Sequence, residues 1–232
     1  TIYEKEINSL YGFADIGYKD YLYLDLTARN DWSSTLPAAN RSYFYPSVSL
    51  SGVVTSALDA WNVKYNKNIF TYGKVRVSFA QVGKDTDPYQ LQQTYSTSIG
   101  GFGYLYASEP TTLANINLKP EIATSYELGT EWRLFKDRIG FDFTYYNTVT
   151  KNQVLNIPYI FSAGYESQTA NVGKITNKGI ELEISGKVIN TKDFNLDATA
   201  NIASNRTRVT KLDPTVSMYQ FSSLENGLQV VA

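Results

Sequence analysis

Hydrophobic and polar residues alternate with a period of two along most of the chain. Between Tyr21 and Asp31, Leu22, Leu24, Leu26 and Ala28 fall on one face, and Tyr23, Asp25, Thr27, Arg29 and Asp31 on the other. Successive side chains of a strand point to opposite faces, so this segment predicts a strand with one oily side and one charged side. Phe44, Pro46, Val48, Leu50 and Val54 oppose Ser47, Ser49, Ser51 and Thr55. Tyr126, Leu128, Trp132 and Leu134 oppose Ser125, Glu127, Glu131 and Arg133. Phe141, Phe143 and Tyr145 oppose Asp142, Thr144 and Tyr146. Leu182 and Ile184 oppose Glu181 and Glu183, and Leu196, Ala198, Ala200 and Ile202 oppose Asn195, Asp197, Thr199 and Asn201.

The pattern predicts eight strands, near 8–18, 21–32, 43–56, 74–83, 122–135, 139–150, 172–188 and 194–208. Most exceed the usual strand length of about 5–6 residues and match the roughly 9–11 residues of a tilted membrane-crossing strand. Their connections are unequal. Lys19-Asp20, Lys136-Asp137-Arg138 and the stretch from Ile189 to Asp193 read as tight polar hairpins. Long segments at 33–42, 84–121 and 151–171 separate the pairs. The 57–73 connection breaks this order, and Ser56-Ala57-Leu58-Asp59 suits the start of a short helical turn. If the strands run up and down, the other short turns gather at one end and the long loops at the opposite end. Outer-membrane barrels have that layout.

Composition narrows the chemistry. Among 232 residues, Lys and Arg total 21 and Asp and Glu total 22, for a net charge of −1. Nucleic-acid binders carry a basic excess, so that class is excluded. Zero His and zero Cys remove imidazole, disulfides, thiolate metal sites and the usual nucleophilic triads. No cofactor is called for. No apolar run exceeds four residues, so no membrane helix is present; a membrane barrel needs none. The 19 Tyr, 11 Phe and 3 Trp are the outlying feature. Tyr18, Tyr21, Tyr23, Trp132, Phe135 and Phe194 sit beside short turns, and Trp32, Tyr43, Phe44, Tyr45, Tyr145 and Tyr146 at the opposite strand ends. Two aromatic girdles account for this, as does plain β-propensity.

Several segments in fixed order resemble a known family. They are Arg29-Asn30-Asp31-Trp32-Ser33-Ser34, Tyr45-Pro46-Ser47-Val48-Ser49, and Val75-Arg76-Val77-Ser78-Phe79-Ala80 ending at Gln81-Val82-Gly83. Next come Asn117-Leu118-Lys119-Pro120-Glu121, Ser125-Tyr126-Glu127-Leu128-Gly129, Phe135-Lys136-Asp137-Arg138 and Tyr145-Tyr146-Asn147. Asn171-Val172-Gly173-Lys174-Ile175 and Asn177-Lys178-Gly179-Ile180-Glu181 follow. Together they resemble the barrel of TonB-dependent outer-membrane transporters, most of all the SusC/RagA-like branch. The resemblance implies an all-β fold: an antiparallel transmembrane β-barrel segment, about eight strands of a barrel of about 22. Residues 1–232 then form part of one barrel domain, with the plug domain and TonB box outside the segment. It also implies import of oligosaccharides or peptides across the outer membrane of a Gram-negative bacterium. A SusD-like surface lipoprotein would cover the mouth, and the TonB complex would act through parts outside this segment. Alone, the segment is expected to be an open sheet with two bare edges. The alternative is a soluble β-sandwich carbohydrate-binding module, which would bury the oily faces against a second sheet.

Candidate sites follow from the loops and the polar faces. Asp85-Thr86-Asp87-Pro88 offers two carboxylates for Ca²⁺, but reads better as a turn. Glu127 with Glu131 and Glu181 with Glu183 lie close enough for a glycosidase pair, yet a water-filled lumen accommodates them without chemistry, so no catalytic residue is assigned. Tyr89, Tyr95, Phe102, Tyr104, Tyr106, Tyr159, Phe161 and Tyr165 are the substrate- or lid-contacting candidates; they grip a ligand or lid, or else pack among themselves. Gly100-Gly101-Phe102-Gly103 suits a tight bend rather than a phosphate cradle.

Overall fold

A long strand leaves donors and acceptors on both of its edges, and here consecutive long strands satisfy each other. The computed structural model describes residues 3–211. The elements run β1 (Ile7–Tyr18), β2 (Leu22–Ser33), β3 (Ser42–Val53), α1 (Val54–Ala60), β4 (Phe70–Lys84), β5 (Ser96–Ile99), β6 (Leu105–Ser108), β7 (Thr112–Leu113), β8 (Glu121–Leu134), β9 (Ile139–Lys151), β10 (Val154–Pro158), β11 (Ser167–Asn171), β12 (Lys174–Asn190) and β13 (Asn195–Lys211), with a 3-10 turn at Phe161–Ala163. The eight long strands form one antiparallel sheet ordered β1-β2-β3-β4-β8-β9-β12-β13. Each expected strand is there. The third stops at Val53 rather than 56, because the chain turns into α1. The seventh starts at Lys174 rather than 172, after Gly173 turns the chain with φ +94°.

Turn chemistry explains the short end. Lys19 and Asp20 both take positive φ, and so do Phe135, Lys136 and Asp137. Such turns match the right-handed twist of the strands they join. In the β12–β13 hairpin Thr191 does the same work with its side chain, accepting from the amide of Phe194 at 3.0 Å. The long connections are not plain loops. The 84–121 and 151–171 segments hold β5 to β7, β10 and β11, which pair into a hairpin (β5-β6) and a three-stranded sheet ordered β10-β11-β7.

The register decides which way every side chain faces. Asp25 lies opposite Asp15 and Ser49, Thr27 opposite Ser47, and Leu26 opposite Ala14 and Val48. Farther along, Glu127 lies opposite Ser78 and Tyr146, and Leu128 opposite Val77 and Tyr145. Through the middle of the sheet polar residues therefore gather on one face and apolar residues on the other, while Tyr11 and Phe13 of β1 stand on the polar face opposite Arg29 and Thr27. The apolar face is open: Leu50, Val77, Leu128, Ile184 and Ile202 remain between 45% and 63% exposed. A sandwich would bury these residues.

The polar face carries a bonded network instead. Arg76 donates to both carboxylate oxygens of Asp142 at 3.0 and 2.9 Å, also to Thr144, and reaches Glu127 at 3.5 Å. Its guanidinium crosses directly over Gly129, where a Cβ would collide with it. The aromatic girdles are thinner than expected. Tyr43 lies opposite Asp31 and Tyr45 opposite Arg29, and the Tyr45 hydroxyl donates to Asp31 at 2.6 Å, so both rings sit on the polar face. Tyr23 and Tyr146 face the same way, opposite Ser51 and Glu127. Trp32, Phe44 and Tyr145 at one end, and Tyr18 and Trp132 at the other, occupy the apolar face. Alternation along the strand, rather than closeness to its end, decides which ring faces out.

A charge tests this two-faced reading. In the full-length protein, Leu26→Arg should cost roughly 2–4 kcal/mol in a lipid refolding titration, the cost of a lipid-facing cation near the midplane. Thr27→Arg, one residue along, should cost much less. Equal losses would mean that the two faces see the same solvent.

Candidate functional site

The site is built at the loop end, where the connecting segments fold over the polar face. Its core is small and apolar. Leu118 is fully buried and packs with Leu36 and Tyr43, and with Tyr45, Leu91 and Val154 around them. These residues come from the 34–41 connection, β3 and both long loops, so one cluster ties three connections to the sheet. Asn40 donates to the Leu118 carbonyl at 2.9 Å.

Polar side chains fix the loops more finely. Asn171 accepts from the Lys119 amide at 2.7 Å, and donates to the carbonyls of Lys119 and Asn152 at 2.7 and 2.8 Å. It thereby joins the end of the first long loop to both ends of the second. The Glu121 carboxylate accepts from the Val154 amide at 2.8 Å. Glu166 donates its amide to Thr111, and β7 runs parallel to β11 through Thr112 and Ser167. The two long loops are thus one structural unit.

Asp85 anchors the start of the first loop. It is buried, and it accepts from Lys5 at 2.6 Å, from Ser33, and from Thr35 at 3.3 Å. The Asp85–Pro88 stretch runs into a turn at Pro88 and Tyr89, with Asp85 fastened below it. Asp85 is already spent on a Lys and two hydroxyls, and no cluster of three or more potential metal ligands exists among the described residues.

The eight predicted aromatics fall in four places. Tyr95, Phe102, Tyr104 and Tyr106 belong to the β5–β6 hairpin and its flank; Phe102 at the tip is 94% exposed and Tyr104 80%. Gly103 allows the bend there, with φ +77°. Tyr159 and Phe161 are exposed on the β10–β11 connection beside Ile160. Tyr89 is exposed with φ +63° and lies 6.1 Å from the Tyr3 ring. Tyr165 is half-buried at the base of the hairpin, where its hydroxyl donates to Glu109. That hydrogen bond, then partial burial and the charge of Glu109, hold the phenol above its usual value. The rings do not make one cluster, and most of them are not packed among themselves.

Below the loops the polar face holds two open clefts. One of about 530 Å³ is lined by Glu131, Arg133, Asp142, Glu183, Lys187 and Asp197 among others. The other, about 470 Å³, is lined by Arg76, Asp142, Thr144, Glu181 and Glu183 with part of β13. Charges of both signs line them. Glu127 and Asp142 are engaged by Arg76, and Glu131 by Arg133 at 2.9 Å. On this surface the Thr144 hydroxyl also donates to Asp142 at 3.3 Å.

Sequence reasoning missed the Leu36–Tyr43–Leu118 cluster and the roles of Asp85 and Asn171. A signal did exist. Leu118, Lys119, Glu121 and Asn171 lie in the segments that carried the family resemblance, which read as markers and not as fasteners.

Comparison with known proteins gives one consistent answer. Residues 1–226 match the family model described as TonB dependent receptor-like, beta-barrel. TonB-dependent receptor P3 of Formosa agariphila is 29% identical over 212 residues, covering 90% of this chain and 21% of that protein. TonB-dependent receptor SusC of Bacteroides thetaiotaomicron is 27% identical over 195 residues, covering 80% of this chain and 19% of that one. The chain thus spans about a fifth of the length of these curated relatives. Among solved structures, the RagAB peptide importer in its closed-closed state superposes with a TM-score of 0.81 at 24% identity, over 94% of this chain and 24% of that one. The siderophore receptor PirA from Pseudomonas aeruginosa gives 0.61 at 19% identity, over 89% of this chain and 35% of that one.

The fastening of the loops is testable in the full-length protein. Leu118→Ala should cost about 2–5 kcal/mol, as for a buried leucine, and Asn171→Ala roughly 1–3 kcal/mol. Amide hydrogen exchange should speed up in 111–120 and 152–158 for both variants, while β8 and β9 stay protected. Unchanged exchange in both segments would show that the loops are held by something else.

Proposed function

The chain belongs to the TonB-dependent receptor-like β-barrel family, and from that premise we propose that it forms part of the barrel wall and outer mouth of a nutrient importer. TonB-dependent receptors are outer-membrane β-barrel proteins of Gram-negative bacteria, and as a family they are transporters rather than enzymes. In this reading residues 1–232 belong to one barrel domain of a longer protein in the cell outer membrane. Its apolar face meets lipid, and its polar face lines the lumen. The substrate is an oligosaccharide or a peptide. A SusD-like surface lipoprotein closes the mouth, and the TonB complex acts through parts outside this segment.

The observation that carries the proposal is the loop platform. Exposed rings cost free energy in water unless a partner covers them, and contiguous exposed apolar surface marks an interaction site. Phe102, Tyr104, Phe161 and their neighbours stand out from loops that are themselves tied down through Leu118 and Asn171. A held platform with exposed rings suits repeated contact with a lid and a passing solute. Tyr95, Tyr106, Tyr159 and Tyr165 extend that surface toward the hairpin base, and Tyr89 lies beside it. Tyr rings combine an apolar body with a polar tip, which fits both sugar faces and peptide side chains.

Deletion of 98–108 or of 157–166 in the full-length transporter tests this reading, with membrane levels held equal. Uptake and lid retention should both fall while the barrel still assembles. Normal uptake together with normal lid binding in both deletions would reduce these loops to a cover.

A further inference from the structure

The apolar face changes character abruptly at the loop end of the last two described strands. On β12 the residues of that face run Ile184, Leu182, Ile180, then Lys178, Thr176, Lys174; on β13 they run Ala200, Ile202, Ser204, then Arg206 and Arg208. Lys178 lies opposite Arg206 and Thr176 opposite Arg208, so the change falls at one level on both strands. Lys151 of β9, opposite Lys174, adds a further cation on this face. By register, no Asp or Glu stands on the apolar face of β8, β9, β12 or β13. None of the five cations forms an ion pair among the described residues. Thr176, Lys178, Arg206, Arg208 and Thr210 line a cleft of about 320 Å³.

Like charges this close repel one another, and among the described residues no carboxylate of this face neutralises them. Their height is informative. From Phe194 to Ile202 the strand covers about 27 Å at about 3.4 Å per residue. A tilt of roughly 35–45° reduces that to about 20 Å of depth, close to the roughly 25 Å apolar band of such barrels. The cations begin just beyond that band, at headgroup level.

We infer that Lys178, Arg206 and Arg208, flanked by Lys151 and Lys174, form a binding site for the phosphates of an outer-leaflet glycolipid headgroup of the lipid A type. The inference rests on the outer-membrane reading above, which places the loop end outside. Basic pockets on membrane proteins take phosphorylated headgroups, and arginine forks match phosphate oxygens in pairs. Strands lie about 4.8 Å apart, so cations on three strands cover about 10 Å. That breadth exceeds one phosphodiester and suits two phosphates on a disaccharide. Ile180 and Ile202 lie directly below, where acyl chains would run.

The test uses the full-length transporter in phosphatidylcholine nanodiscs doped with either lipid A or phosphatidylglycerol. Lipid retained after detergent exchange is counted by native mass spectrometry. Wild type should retain lipid A several-fold better than phosphatidylglycerol and release it as salt rises from about 0.1 to about 1 M. Lys178→Gln with Arg206→Gln and Arg208→Gln should bring retention down to the phosphatidylglycerol level. Lys187→Gln, on the polar face, should leave it unchanged. Equal retention by wild type and the triple variant would overturn the inference. So would equal retention of the two lipids by wild type, which needs no variant to fold, or full displacement by millimolar inorganic phosphate, which would indicate a free-anion site. Protease protection of the barrel in the same nanodiscs separates the two levels. An inserted barrel without bound lipid A sinks this inference alone; a barrel that does not insert sinks the outer-membrane reading.

Discussion

Seven antiparallel ladders of main-chain hydrogen bonds hold this molecule in register, and everything else depends on that register. A slip of one residue would turn every side chain of a strand to the other face. Arg76 would lose Asp142, the Leu128 row would turn inward, and Tyr43 would leave the loop cluster. The ladder holds because both faces favour the same alignment. On one face Arg76, Asp142, Thr144 and Glu127 bond across three neighbouring strands. On the other, apolar residues stay together up to the cations at the loop end of β12 and β13.

A sheet with one bonded polar face and one open apolar face is stable only where its two sides meet different media. In water, the exposed rows of Leu, Ile and Phe would draw a second layer onto themselves. Here the loops fold the other way, over the polar face, with Leu118 and Tyr43 at their centre. The small apolar core of the described chain thus lies at the mouth of the polar side. In the proposed importer the loops are placed where a solute would enter, and the apolar face is left for lipid. In that reading the cationic rim at Lys178, Arg206 and Arg208 marks the level at which the lipid ends.

Local chemistry made the frame legible in the sequence. Period-two alternation located all eight strands, and Lys19-Asp20 and Lys136-Asp137 declared their turns. The third strand was read too long because Val54 and Thr55 continue the alternation, although the backbone has already turned into a helix. Tyr43, Tyr45 and Tyr146 were assigned by distance from a strand end, while the register alone decides the side. The loops were hardest to read. β7 pairs with β11 across more than fifty residues, and Leu118 meets Leu36 and Val154 only once the sheet exists. No local pattern encodes contacts of that kind. The candidate aromatics lie outside the eight-stranded sheet, but their separation into a hairpin, a second loop, Tyr89 and the half-buried Tyr165 depends on those long-range contacts.

The central claim is that alternate residues of one strand face lipid and water. This chain contributes no Cys, so in a cysteine-free background of the full-length protein single cysteines can be introduced one at a time from 139 to 149 on β9 and spin-labelled in lipid. Collision rates with oxygen, which partitions into the bilayer, and with a water-soluble nickel chelate should then alternate along the strand in opposite phase. Oxygen should dominate at 141, 143 and 145, and nickel at 142, 144 and 146. Rates without a two-residue period, or with the phases exchanged, would contradict the account.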